Sequence, residues 1–473
     1  MNTRSRVRAG AVAVAFALLA AGCSGSGADS GGVQGTPGAA GLRDPYFPKL
    51  GNGGYDVSHY GLTLSYDPAT NRLDGRAEIT ARATQDLSAF NLDLDGLTVR
   101  DATVDGAPAA VNRAGNELTL RPREDIDAGK QFVTTVTYAG VPKTITDSDG
   151  SEEGWLKTAD GAVAVGEPTG SMAWFPGNHH PSDKATYDIT VTVPAGLKAV
   201  SNGVLTAERK SADGRTTTSV WHAGEPMASY LATLAIGHFD TSTTTAPLGK
   251  GKAPVPVLTA ADPTVAAQTA ALRAKIPQIL EWEQQNFGPY PFSAAGAIVE
   301  REGDLGYALE TQSRPIFPVS SFEEGTLVHE LVHQWYGDSV TPASWKDIWL
   351  NEGFATYGEW LYEEDFKHNP AQKSFERAFA NDDAWAFPPA APPTAEDLFS
   401  APVYQRGAMV LHKLRQKVGD DVFFEILEGW PAKYRYANAT TEDFTKYAEQ
   451  VSGQDLSGVW DVWLYGDEKP AAP

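Results

Sequence analysis

Two histidines four residues apart, on a stretch whose apolar residues recur at helical spacing, constrain this chain more than any other feature. In Thr326-Leu-Val-His-Glu-Leu-Val-His-Gln-Trp335, Val328, Leu331, Val332 and Trp335 stand at i, i+3, i+4 and i+7, which predicts an amphipathic helix with one buried face. His329 and His333 then lie one turn apart on the same face and can share one metal ion. Glu330 sits about 100° round the helix from His329. It is poorly placed as a ligand but can reach a water on that metal, so its natural role is general base. A catalytic zinc needs a third protein ligand and an open fourth position. Eighteen residues separate His333 from Glu352, with a break at Gly337 and Pro342 and then a helical run from Asp347 to Phe366. That is enough chain to fold back and set Glu352 beside the histidine pair. A structural zinc would use four protein ligands, mostly cysteines, and the chain has a single cysteine.

That cysteine belongs to the compartment signal. Arg4, Arg6 and Arg8 precede an apolar run from Ala11 to Ala21 that ends at Gly22-Cys23, which reads as a secretory signal and not as fold. Leu19-Ala-Ala-Gly-Cys23 resembles the bacterial lipobox, with Ala20 where a large aliphatic residue is usual. Residues 1–22 are accordingly read as a lipoprotein-type signal peptide whose removal leaves Cys23 lipidated at the new N-terminus. The expected location is the bacterial cell surface, exported and lipid-anchored at Cys23, or secreted if that residue carries no lipid. Residues 23–42 hold too few apolar side chains to offset the entropy of ordering and read as a flexible tether. With one cysteine no internal disulfide can form.

At 473 residues the chain exceeds what one ordinary core supports, so at least two domains are expected. A formal net charge of -22 argues against a nucleic-acid partner. No central segment is apolar enough to cross a membrane, so the only membrane contact expected is through a lipidated Cys23. From about 43 to 250 the pattern is short strands and turns. Tyr187, Ile189, Val191 and Val193 share one face of a strand and Asp188, Thr190 and Thr192 the other. Asn91-Leu-Asp-Leu-Asp95 repeats the alternation, and Asp95-Gly96, Asp105-Gly106 and Asp213-Gly214 mark turns. From 251 to 467 the period becomes helical. Asp262-Pro263 offers an N-cap and a first-turn proline ahead of Leu272, Ile276, Ile279 and Leu280, the stretch Pro388 to Pro393 reads as an irregular loop, and a helix from about Gln405 to Val418 stops at Gly419. The fold class expected is α+β and multidomain, an all-β N-terminal domain followed by a mainly helical one.

The segment from Val328 to Leu361, VHELVHQWYGDSVTPASWKDIWLNEGFATYGEWL, resembles the gluzincin core of the M1 aminopeptidases, the aminopeptidase N and leukotriene A4 hydrolase family. Similarity extends to Asn286-Phe-Gly-Pro-Tyr-Pro-Phe292, Val403-Tyr-Gln-Arg-Gly-Ala408 and Val200-Ser-Asn-Gly203, so it spans roughly 45 to 467. The resemblance implies a saddle-like β domain, a thermolysin-like catalytic domain and one zinc ion per chain. It implies that Glu310 grips the free α-amine of a peptide substrate from a segment on an edge strand, where Tyr307, Leu309 and Thr311 replace the family's glycine, methionine and asparagine. A second amine-binding acid is implied at Glu167 in Gly166-Glu-Pro-Thr169, and an oxyanion-stabilising tyrosine at Tyr404. The short length after Val462-Trp-Leu-Tyr-Gly466 leaves no room for the helical C-terminal domain of larger members, so a more open cleft is expected.

Together these readings predict hydrolysis of the first bond of peptides with a free N-terminus. Zinc on His329, His333 and Glu352 polarises the carbonyl and the water, Glu330 moves the proton, and Tyr404 steadies the oxyanion. Two alternatives share the sequence: a thermolysin-like endopeptidase with the same zinc site, and a non-catalytic lipoprotein that binds partners through its β domain. Glu310 and Glu167 discriminate against the first, and retention of His329, Glu330, His333, Glu352 and Tyr404 together against the second. Neither the oligomeric state nor the side-chain preference is legible in the sequence.

Overall fold

Burial of every second side chain builds the first half of the chain. The computed structural model describes residues 35–471 apart from Ser148 and residues 249–252; the expected signal segment, Cys23 and most of the tether lie outside the described residues. Strand Tyr55–Asp67 buries Tyr55 and Val57, then Tyr60, Leu62, Leu64 and Tyr66. The change of parity coincides with a bulge against Arg72–Ala83 between Val57 and His59, where one extra residue turns the following side chains over. Lys184–Pro194 buries Tyr187, Ile189, Val191 and Val193 and turns the intervening residues outward, as the alternation predicts. It pairs parallel to Tyr55–Asp67 and antiparallel to Thr216–Ala228 inside an eight-stranded sheet.

A second, five-stranded sheet runs in the order Thr144–Thr146, Glu152–Lys157, Ala162–Val165, Leu234–Gly237, Lys198–Ser201. Its strand Ala162–Val165 is buried along its whole length and delivers Gly166-Glu167 to the end of the sheet. The expected turns hold: Gly96, Gly106 and Gly214 all have positive φ, which the dipeptides with a preceding aspartate supply without strain. The alternation read at Asn91 to Asp95 does not hold. Asn91 and Asp93 are buried along with Leu92 and Leu94, because the Asp93 carboxylate accepts hydrogen bonds from Gly51 N, Asn52 Nδ2 and His179 N. Period-two patterning fails wherever buried backbone donors call for a buried acceptor.

The second half is helical around one small sheet of four strands, in the order Asp240–Ala246, Val255–Ala261, Ala295–Glu300, Ile316–Pro318. Helix α1, Ala266–Arg273, begins later than Asp262-Pro263 suggested. Asp262 spends its side chain on the turn before it, accepting from Thr264 N at 2.8 Å. The helical spacing from Leu272 to Leu280 is broken, since α1 ends before α2, Ile276–Phe287, starts. Then follow α3, Glu324–Val332, α4, Trp349–Lys367, α5, Ala371–Ala380, and α6, Gly407–Val418. The Pro388 to Pro393 stretch is irregular, and α6 stops at Gly419 with φ 83°.

Candidate active site

Helix α3 spans nine residues, Glu324–Val332. Leu327, Val328, Leu331 and Val332 are buried, and the chain leaves the helix at His333. The two rings, 4.8 Å apart, turn their Nε2 atoms to one side. Helix α4 crosses α3 closely because Gly358 faces Val332; a Cβ there would lie 2.7 Å from Val332 Cγ2. That crossing brings Glu352 Oε2 to 3.1 Å from His329 Nε2 and 3.4 Å from His333 Nε2. One ligand atom from each of the three lies within 4.8 Å of the others.

The outer nitrogens are tied off. His329 Nδ1 meets Glu359 Oε1 at 2.7 Å and His333 Nδ1 meets the Tyr336 carbonyl at 3.0 Å. Such partners fix the tautomer that leaves Nε2 as a lone-pair donor. Glu359 and the Tyr336 carbonyl escaped the sequence reading, although Glu359 stands seven residues after Glu352, on the same face of one helix. Burial works to lower the His329 and His333 pKa values, but the carboxylates around them win. His329 is held well above the usual histidine range and His333 is raised to about 9. Glu352, which burial alone would raise, is pulled down to about 2 by His333 and His329. The site therefore favours positive charge between two imidazole nitrogens and one carboxylate, and this donor set, with an open side toward the cavity, fits zinc.

All seven residues singled out in the sequence line one cavity of about 290 Å³: Glu167, Glu310, His329, Glu330, His333, Glu352 and Tyr404. Glu330 is buried beside Glu310 and His333, the three ligand atoms again within 4.8 Å of one another. Its carboxyl is raised to about 8, by burial first and by Glu310 and Glu352, against the pull of His329 and His333. Glu167 and Glu310 face the metal donors, with carboxylate oxygens of Glu167, Glu310 and Glu352 within 4.8 Å. They are 8% and 2% exposed, and Oε1 of each lacks a hydrogen-bond partner. An isolated buried carboxylate costs too much to keep without a reason.

The segment holding Glu310 is not the edge strand that the resemblance implied. Leu309 and Ile316 form a single antiparallel bridge, and side chains do the rest. Gln334 Nε2 donates to the Glu310 carbonyl at 3.1 Å while Gln334 Oε1 accepts from Ser313 N at 2.6 Å. Asn202, from Val200-Ser-Asn-Gly203, donates to the Gln312 and Leu231 carbonyls, each at 2.9 Å, and Arg314 Nη2 donates to the Gly203 carbonyl. Thr311, which stands in place of the family's asparagine, donates from Oγ1 to the Arg314 carbonyl at 2.6 Å, so the loop keeps a side-chain brace at that position. The β-rich part thus grips the loop just after Glu310, at Gln312 and Arg314.

Tyr404 does not sit before a simple helix start. Residues Pro402–Arg406 form a π-helical turn ahead of α6, a wide turn common where a side chain must be re-aimed. Its ring stacks on His329 at 5.9 Å. Arg406, fully buried, clamps the turn by donating from Nε to the Trp463 carbonyl at 2.9 Å and from Nη1 to the Phe387 carbonyl at 3.2 Å. Helices α4 and α6 touch backbone to backbone where Gly353 faces Gly407; a Cβ on either would lie 2.9 Å from the other's Cα. Burial and the carboxylates Glu352, Glu167, Glu310 and Glu330 keep the Tyr404 phenol well above its usual pKa, hence protonated and able to donate.

Residues 320–463 match the Peptidase family M1 domain and residues 56–231 the Peptidase M1 N-terminal domain. The fold is similar to that of a mutant M1 zinc metallopeptidase from Deinococcus radiodurans bound to a Tyr-Ser-Ala substrate, with TM-score 0.85 and 30% identity over 92% of this chain and 99% of that one. A two-domain M1 zinc metallopeptidase mutant bound to L-arginine gives the same figures. In sequence the chain is similar to glutamyl aminopeptidases of Sus scrofa, 27% identical over 343 residues, and Rattus norvegicus, 25% over 454 residues. Those alignments cover 66% and 86% of this chain and 35% and 46% of the relatives, so the chain spans a third to a half of their length.

Proposed function

The chain belongs to peptidase family M1, and from that premise we propose that it is a zinc-dependent aminopeptidase that removes the first residue of peptides with a free N-terminus. The observation that carries the reading is the pair Glu167 and Glu310, buried, with unpartnered oxygens and beside the metal donors. Two such carboxylates opposite a metal site fit the α-ammonium of a peptide whose first carbonyl sits at the metal. A blocked N-terminus would leave both desolvated and unpaired.

His329, His333 and Glu352 would hold zinc, which when bound supplies Lewis acidity to the scissile carbonyl and the attacking water. Glu330 takes the water's proton and hands it to the leaving nitrogen. Tyr404 donates its phenolic hydrogen to the oxygen that gains charge, a contribution realised only as the tetrahedral state forms. Glu359 and the Tyr336 carbonyl keep the imidazoles aimed.

The test is a matched pair of peptides, one free and one N-acetylated, assayed with the zinc-loaded protein. The free peptide should be cut at least about a hundredfold faster, as expected when a buried charge loses its partner. Equal rates would instead mean an endopeptidase. Export with a lipid on Cys23 belongs to the same proposal and rests on the sequence of residues 1–23. Mass spectrometry of the mature N-terminus should find Cys23 acylated, and an unmodified Cys23 would overturn that part.

A further inference from the structure

Tyr307 lines the cavity wall and has no part in the proposed mechanism. It replaces the glycine that opens the amine-binding segment in the resemblance, and its side chain lines the same cavity as Glu167 and Glu310. Among the residues that line this cavity, three side-chain atoms are buried without a hydrogen-bond partner: Glu167 Oε1, Glu310 Oε1 and Tyr307 Oη. Burial first, then the charges of Glu153, Glu167, Glu310 and Asp147, hold the phenol protonated. Glu153 is already spent, accepting from Thr169 N, Thr169 Oγ1 and Gly170 N. Glu352 shares the span but turns Oε2 to both histidine rings.

An α-ammonium has three N–H donors and no acceptor. Resting on the aminopeptidase reading, we propose that Tyr307 Oη is a third acceptor for the substrate's α-ammonium, completing a set with Glu167 Oε1 and Glu310 Oε1. The phenol oxygen accepts one N–H through a lone pair. Three orphaned buried oxygens and one three-donor cation satisfy one another, which removes the cost of burying each alone. A glycine at this position can offer only its backbone.

Alanine hydroxamate and propionohydroxamate test this, because they differ only in the replacement of the ammonium by hydrogen. Binding of each to the zinc-loaded protein is measured by calorimetry for the wild type and for Tyr307→Phe, which keeps the ring, with zinc content determined in parallel. Loss of one charge-assisted hydrogen bond should weaken alanine hydroxamate by about ten- to a hundredfold. Propionohydroxamate should stay within about twofold. Tyr307→Gln, which restores a neutral acceptor, should recover part of the preference. If the wild type prefers the amino ligand and Tyr307→Phe keeps that preference undiminished, or weakens both ligands equally, the proposal is wrong and the aminopeptidase reading stands. If the wild type shows no preference between them, the aminopeptidase reading falls and takes this proposal with it.

Discussion

Replacing Gly353 by alanine tests how Tyr404 is placed beside the cluster of His329, His333 and Glu352. Neither Gly353 nor Gly407 has a positive φ, so neither needs glycine for its backbone. What both need is space. A Cβ at Gly353 would sit 2.9 Å from the carbonyl carbon and the Cα of Gly407 and 3.4 Å from Ala408 N. Carbon atoms in contact prefer roughly 3.5–4.0 Å, so the helices must part by about 0.6–1 Å, and the atoms in the way are backbone that cannot rotate aside. Overpacking of this kind costs roughly 1–3 kcal/mol, while alanine returns about 1 kcal/mol of helix propensity. Net stability should therefore fall by only about 0–2 kcal/mol. Activity should fall further, because Glu352 precedes Gly353 directly and Tyr404 lies three residues before Gly407. A displacement near 1 Å in a catalytic array costs about a hundredfold. The assay is kcat/KM on a free peptide beside thermal unfolding and zinc content. Gly353→Ala with wild-type kcat/KM and full zinc would refute the idea that the α4–α6 contact sets the distance from Tyr404 to the metal donors.

Glu359→Gln should leave the fold intact and weaken zinc by about ten- to a hundredfold, the usual effect of removing a histidine's outer partner; chelator competition measures it, and unchanged affinity would show that the 2.7 Å contact with His329 does not matter. Asp44 joins the N-terminal stretch to the catalytic half by accepting from Ser344 Oγ and Trp345 N. Burial opposes its ionisation, but His180, Ser344 and the backbone amides prevail and bring its pKa from 3.8 to about 2. The folded-state value is depressed, so the stabilisation is present above pH 3.8 and is lost as pH falls through about 2. Unfolding temperature against pH should show that loss in the wild type and a shallower slope over the same window in Asp44→Asn; identical slopes would count against it.

The metal donors were legible because their geometry is local. Residues i and i+4 share a helix face in any fold, and Glu352 needed only a following helix of sufficient length. Glu310, Glu167 and Tyr404 were found by motif likeness, since nothing in their own spacing ties three distant segments to one cavity. Helix ends were less legible: α1 starts after the cap at Asp262, and Tyr404 lies on a π turn that periodicity does not announce.

By itself, the sequence determined that two imidazoles and a carboxylate could meet, that the first half would be strands and the second helices, and that the chain is acidic with a single cysteine. Tertiary structure alone decided the rest. The β-rich part, through Asn202, clamps the loop that holds Glu310, Gln334 pins that loop from the histidine side, and two facing glycines let α4 and α6 approach until Tyr404 reaches His329. Helix and strand periodicities are properties of neighbours along the chain. Which oxygens are left buried and unpartnered around one cavity is a property of segments more than a hundred residues apart, and only packing assigns it.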